Sequence, residues 1–364
     1  MTGSETLELA AFREDQVPDQ VGIYLDYARR GLLLRSAREG LLRFVPSLQK
    51  GSTELAAQAE TRESARRRLA RLVGVTPQQL AFTSNTTTAI ALLAQSVSWA
   101  PGDRVLVAPD EVASNRLPWL ALESRGVVVE ELPSRAGRLV LEDLARVCRE
   151  RPPRWAALSL VSLSTGQLRP VREALDILHA VGAKVCVDVA QGIGVLRLPE
   201  RLRGVAAVVG CGRKWLCGPP EVGFLALNTE DLSPISAGMC SLEAHGALRP
   251  GAGAWEGGVE PVLALVGLEA SLETLGRLSG DTVEAAALHN AEVLRSLLGD
   301  RAKALPAEER SPIVWVQTRE PVDPKELVAR GLVVRPRGLE TRVSAHAWST
   351  LAELEQAAAI LTRL

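Results

Sequence analysis

Six short apolar runs between Arg104 and Leu227 constrain this chain more than any other feature. They are "RVLVAP" (104 to 109), "GVVVEELP" (126 to 133), "WAALSLVS" (155 to 162), "AKVCVDVA" (183 to 190), "VAAVVGC" (205 to 211) and "VGFLAL" (222 to 227). Segments such as "PVREALDILHAVG", with apolar residues three and four apart, lie between most of them. Alternation of this kind predicts βαβ units and a mostly parallel sheet. The runs are apolar on both faces, so helices must cover each side, giving an α/β fold of three αβα layers. In such sheets ligands gather where the carboxyl ends of the strands open into loops.

The flanks follow other patterns. "TRESARRRLARLVGV" (61 to 75) predicts a helix with a basic outer face, and "GLEASLETLGRLSG" and "TVEAAALHNAEVLRSLLG" predict two more. Short strands follow at "SPIVWVQT", "GLVVRP" and "TRVSAHA", then a closing helix from Thr350. The expected organisation is an N-terminal segment (1–20), a large domain (21–234) and a smaller α+β C-terminal domain (235–364).

Composition narrows the functional classes. With 42 basic and 43 acidic residues there is no positive surplus to neutralise nucleic acid or an anionic membrane, so a small-molecule ligand is expected. The polar start "MTGSETLELAAFREDQ" lacks a signal-peptide pattern, and the five scattered cysteines fit a reducing compartment; both predict a cytoplasmic protein. Cys211 and Cys217 have no second pair and no nearby histidine, so no metal is expected.

Lys214 stands with Arg213 between an apolar run and a glycine/proline turn, and Asp188 ends another apolar run. A carboxylate at such a position serves to meet a cation, a metal or a protonated ring nitrogen. In "FTSNTTTAIALLA", Ser84 or Asn85 can cap a helix whose first-turn amides, with Thr86 and Thr87, form an anion site. An anion site, a buried carboxylate and a nucleophilic lysine together describe a pocket for pyridoxal 5′-phosphate.

These pieces, with "GIYLDYARRGLL" (22 to 33), "PGDRVLV", "SNRLPW", "CVDVAQGIG", "GRKWLCGPPEVGFLAL" and "TRVSAHAWST", resemble the class V aminotransferase family of fold type I pyridoxal-phosphate enzymes. That group includes cysteine desulfurases, selenocysteine lyases and kynureninases. The resemblance implies that Lys214 binds the cofactor aldehyde covalently and moves protons at the substrate Cα. It further implies that Asp188 pairs with the pyridinium nitrogen, that Gln191 lies near the phenolic oxygen, and that Asn85, Thr86, Thr87, Arg213 and Gly258 surround the phosphate. Arg342 would bind the α-carboxylate of an amino-acid substrate, and the enzyme would be a homodimer.

Departures from the family pattern bear on the reaction. Glu111-Val112 stands where most desulfurases have Glu-His, so a histidine stacked on the cofactor is absent. Gly258-Val259 replaces a Gly-Thr pair whose threonine reaches the neighbouring subunit's phosphate. The loop that carries the persulfide cysteine in desulfurases should precede Arg342, where "VVRPRGLETR" has no cysteine. An Arg-Lys-Trp junction without a stacking histidine is similar to the lyase of ergothioneine biosynthesis. Cβ–S lyase chemistry is therefore expected; an aminotransferase, an epimerase and a catalytically weak binding protein are the alternatives. Arg29 and Arg30 could reach a distal acid group of a substrate or simply face solvent. His346 shares a face with Ser344 and has no assigned role, and Trp119, Trp215 and Trp255 are expected to pack rather than stack on the cofactor. Cys217 is expected to pack, with a reactive thiol beside Arg213 and Lys214 left open.

Overall fold

The computed structural model describes every residue except 1–2, 18–21, 50–54, 136, 230–231, 233–248 and 258–260. Seven strands form the main sheet: β1 (Leu80–Thr83), β2 (Arg104–Val107), β3 (Val128–Glu131), β4 (Trp155–Ser159), β5 (Lys184–Asp188), β6 (Ala207–Cys211) and β7 (Gly223–Leu227). Their order is β1-β7-β6-β5-β4-β2-β3. All neighbours run parallel except β7, which is antiparallel to both β1 and β6. The carboxyl ends of β1, β4, β5 and β6 consequently open on one edge.

Alternation along each strand divides the core in two. Leu106, Ala156, Leu158, Val185, Val187, Val208 and Phe224 join one apolar cluster. Their sequence neighbours Val105, Ala157, Cys186, Val209 and Leu225 join the other, so the sheet is buried on both faces, as its apolar runs require. The helix Val262–Leu275 packs against Arg35–Gln49 and Leu55–Val73 and contributes Leu265, Leu268 and Leu272 to the first cluster. The domain boundary expected at 234/235 lies outside the described residues.

A second, antiparallel sheet comprises β8 (Ile313–Gln317), β9 (Arg335–Arg337) and β10 (Glu340–Ser344), in the order β8-β10-β9. Val314 and Val316 face a separate core with Leu294, Val343 and Leu354, while Ile313 and Trp315 face the main one. The N-terminal strand Ile23–Tyr24 pairs in parallel with Leu332–Val333, and Asp26 bridges Ser344, so residues 23–26 are threaded along this second sheet. The closing helix Leu351–Thr362 begins with a capping box between Thr350 and Glu353. Helix Gly3–Gln16 is held to it from outside: Phe12 stacks on Trp348 at 5.0 Å, and Arg13 bonds both the Trp348 carbonyl and Glu353. Among the described residues no helix is long and apolar enough to cross a membrane.

Candidate active site

Three strand ends bring the chemistry to one edge. After β1 the chain turns at Asn85, which caps helix Thr86–Ser96 by accepting a hydrogen bond from the Thr88 amide at 2.9 Å. Among the described residues no side chain caps the Thr86 or Thr87 amide, so these first-turn N–H groups are open to an anion there. Gly223, at the start of β7, lies against this turn; a Cβ there would sit 2.6 Å from the Asn85 carbonyl carbon. Only glycine admits that approach.

At the end of β5, Asp188 is buried, and its Oδ1 accepts from the Ala190 amide at 2.8 Å. Burial pushes its carboxyl up to about 6, opposed by the charge of Lys214. Among the described residues no side chain hydrogen-bonds it. Lys214 follows β6, half-buried, in a turn whose Lys214 carbonyl accepts from the Cys217 amide. A buried carboxylate of raised pKa with one oxygen unengaged, beside a lysine, suits a protonated ring nitrogen, and the open helix amides suit a phosphate. The residues present therefore fit pyridoxal phosphate.

The lysine turn is clamped from three directions. Gly31 donates to the Arg213 carbonyl at 2.9 Å and packs so closely that a Cβ would lie 2.1 Å from the Lys214 carbonyl oxygen. Arg213 Nη1 donates to the Arg29 carbonyl at 2.9 Å. Gln191 donates to the Ala28 carbonyl at 2.9 Å and accepts from the Trp215 indole at 3.0 Å, which fixes its amide and leaves its second N–H without a bond among the described residues. The contact from the third direction, by His346, was not assigned from sequence. Its Nδ1 accepts from the Ala347 amide at 2.8 Å, so Nε2 carries the proton and donates to the Trp215 carbonyl at 3.0 Å. Fully buried and stacked on Trp348 at 3.5 Å, the imidazole is held neutral, its pKa pushed down to about 3 by burial. Trp119, Trp215 and Trp255 are all buried in packing. Cys217 is buried with a left-handed φ of 52°, and burial pushes its thiol up, away from reactivity.

Two further acidic partners escaped the sequence. Arg342 donates from Nη2 to Asp26 at 2.8 Å; both are buried, and Arg342 Nε has no partner. The guanidinium expected to meet a substrate carboxylate thus already holds one protein carboxylate. Glu111 accepts from the Ser159 amide at 2.6 Å and from Arg169 at 2.8 Å, and Arg169 also pairs with Asp110. Ser159 is the register partner of Asp188 on the adjacent strand, so this buried ion pair stands one strand from the candidate ring site. Val112 occupies the N-cap of helix Ala113–Leu120 without a side-chain bond. Just before Arg342 there is a two-residue turn, Gly338-Leu339, joining β9 to β10, with Gly338 at φ 59°. Gly258 and Cys240 lie outside the described residues; the four other cysteines are free and buried.

Residues 37–332 match the family description Aminotransferase class-V. A probable cysteine desulfurase of Methanothermobacter thermautotrophicus is 28% identical over 254 residues, 68% of this chain and 64% of that protein, so the match spans just under two thirds of the relative. The apo cysteine desulfurase of Thermococcus onnurineus NA1 superposes with a TM-score of 0.85 at 21% identity, covering 97% of both chains. A C-DES mutant with glycine covalently linked to its PLP cofactor superposes with a TM-score of 0.88 at 21% identity, covering 96% of this chain and 98% of the other.

Proposed function

The chain belongs to the class V aminotransferase family of pyridoxal-phosphate-dependent enzymes, and on that premise we propose that it cleaves a Cβ–S bond of an α-amino acid without a persulfide-forming cysteine. The observation that carries this reading is the turn before Arg342: two residues, Gly338 and Leu339, join β9 to β10, and neither is a thiol. That turn offers no cysteine to receive sulfur leaving the substrate, which in this reading departs as a free thiol.

In this reading Asn85, Thr86, Thr87 and Arg213 hold the cofactor phosphate, Asp188 holds the proton on the ring nitrogen, and Gln191 offers its second N–H to the phenolic oxygen. The cofactor, when bound, supplies an electron sink next to the substrate Cα. Lys214 Nζ would hold the cofactor, take the Cα proton as general base and pass a proton to the departing thiolate as general acid. Arg342 orients the α-carboxylate. The overall balance is one S-substituted cysteine and one water giving one thiol, one pyruvate and one ammonium. The homodimer implied by the family resemblance is part of the same proposal.

Purified holoprotein incubated with single S-substituted cysteines tests it. Thiol and pyruvate released in equal amounts, with no keto acid added, support the lyase. Turnover only when a keto acid is supplied would identify an aminotransferase instead.

A further inference from the structure

The turn Asp26–Arg30 and the hairpin β9–β10 bring together more positive charge than the chain neutralises. Arg342 is paired with Asp26, and Arg335 lies directly across the hairpin from Arg342 in the strand register. The Arg29 amide donates to the Asp26 carbonyl, which closes the turn beside this pair. Arg29 and Arg335 both act electrostatically on Asp26 and on Arg342. Neither Arg29 nor Arg335 forms an ion pair among the described residues, and both are exposed. The same turn touches the lysine loop, since Arg213 donates to the Arg29 carbonyl and Gly31 to the Arg213 carbonyl.

One carboxylate, Asp26, is thus bonded by Arg342, with Arg335 across the strand register from that pair and Arg29 in the turn that Asp26 closes. The α-carboxylate of an amino acid compensates one of the two surplus charges and leaves the other open. The buried Arg342 Nε, without a partner, is a further unsatisfied donor in the same cluster. We propose that the substrate is an S-substituted cysteine whose substituent carries a second carboxylate beyond the sulfur, received by Arg29 and Arg335. This inference rests on the pyridoxal-phosphate reading of Lys214 and deepens it by naming the substrate class. Guanidinium suits the task because its planar fork matches carboxylate geometry in two parallel hydrogen bonds.

S-Carboxymethylcysteine and its uncharged amide, S-carbamidomethylcysteine, differ only in the distal group and serve as probes. Each is titrated into the holoprotein while the visible cofactor band is followed. The acid should bind about 10-fold or more tightly than the amide. That ratio should fall towards unity in Arg29→Gln and Arg335→Gln and invert in Arg335→Glu. Both residues are exposed, so the variants retain the buried core. Equal binding of the two probes by the wild-type protein overturns the proposal, as does a preference that survives both glutamine variants. A band that responds to neither probe, nor to any other amino acid, overturns the underlying amino-acid reading instead.

Discussion

His346, from the segment after β10, donates its Nε2 proton to the carbonyl of Trp215, the residue that follows Lys214. The bond runs from the second sheet to the lysine loop. Asn290 secures the donor's turn by bonding the carbonyls of His346 and Ser349, at 2.9 and 3.1 Å. The imidazole has no surplus hydrogen-bonding capacity, which is why it is a positioning residue and not an acid–base group.

This placement fixes a pH dependence. The folded pKa of His346, pushed down to about 3, lies below its ordinary value of 6.5, so the unfolded chain binds the proton more tightly. Stability from this group is complete above pH 6.5 and is lost as pH falls towards 3. His346→Gln should remove that acid-side loss in denaturant unfolding measured across this window. Loosening of the lysine loop should also lower turnover in the variant at pH 8, where the imidazole is neutral in either state.

Asp188 has the opposite sign. Its folded pKa is raised from 3.8 to about 6, so the folded apoprotein binds the proton more tightly. Its contribution is present at low pH and is lost as pH rises through about 6, by about 3 kcal/mol for a shift of roughly two units. Between about pH 4 and 6 the two groups nearly cancel. Asp188→Asn should therefore expose the His346 slope and raise apoprotein stability above pH 6, while weakening the cofactor's hold. A pH profile unchanged by this variant would contradict the assignment.

The Glu111–Arg169 pair is almost wholly removed from solvent, with side-chain exposures of 1% and 2%. Removing one member of an isolated buried pair costs about 3–5 kcal/mol, but here Asp110 still pairs with Arg169 and reduces that cost. Glu111→Ala should therefore lower stability by less than that, on the order of 1–3 kcal/mol in urea unfolding, chiefly because the Ser159 amide loses its acceptor. Because the Glu111 charge also raises the Asp188 pKa, the midpoint of the Asp188-dependent slope should move to lower pH. Loss of stability without that movement would make Glu111 a purely structural residue.

Much of the fold was legible because the main sheet obeys a local rule. Each of its six recognised runs became a strand; five are buried on both faces and leave an unbroken apolar trace, while the edge strand β3 is only half-buried. Lys214 and Asp188 were equally visible, as charged residues closing apolar runs at strand ends. Helix Gly3–Gln16 was not, because its sequence is mostly polar and its order comes from Phe12 on Trp348 and Arg13 on Glu353, contacts more than three hundred residues distant. Asp26 and Arg342 are separated by 316 positions, and Glu111 and Arg169 by 58, so neither pairing has a local signature. The signal present was a lone acid inside the apolar run "IYLDYA", which needs a buried cation. Gly338, in "PRGLE", marked the turn before Arg342.

The most direct measurement takes the purified protein, supplies pyridoxal phosphate, records the visible spectrum and reduces the complex with borohydride before peptide mapping. A yellow band that disappears on reduction, with the cofactor mass fixed on Lys214 and absent from Lys214→Ala, is the expected result. A colourless protein, or a label on any other lysine, would contradict the assignment of this strand-end lysine and its neighbouring aspartate as the heart of the site.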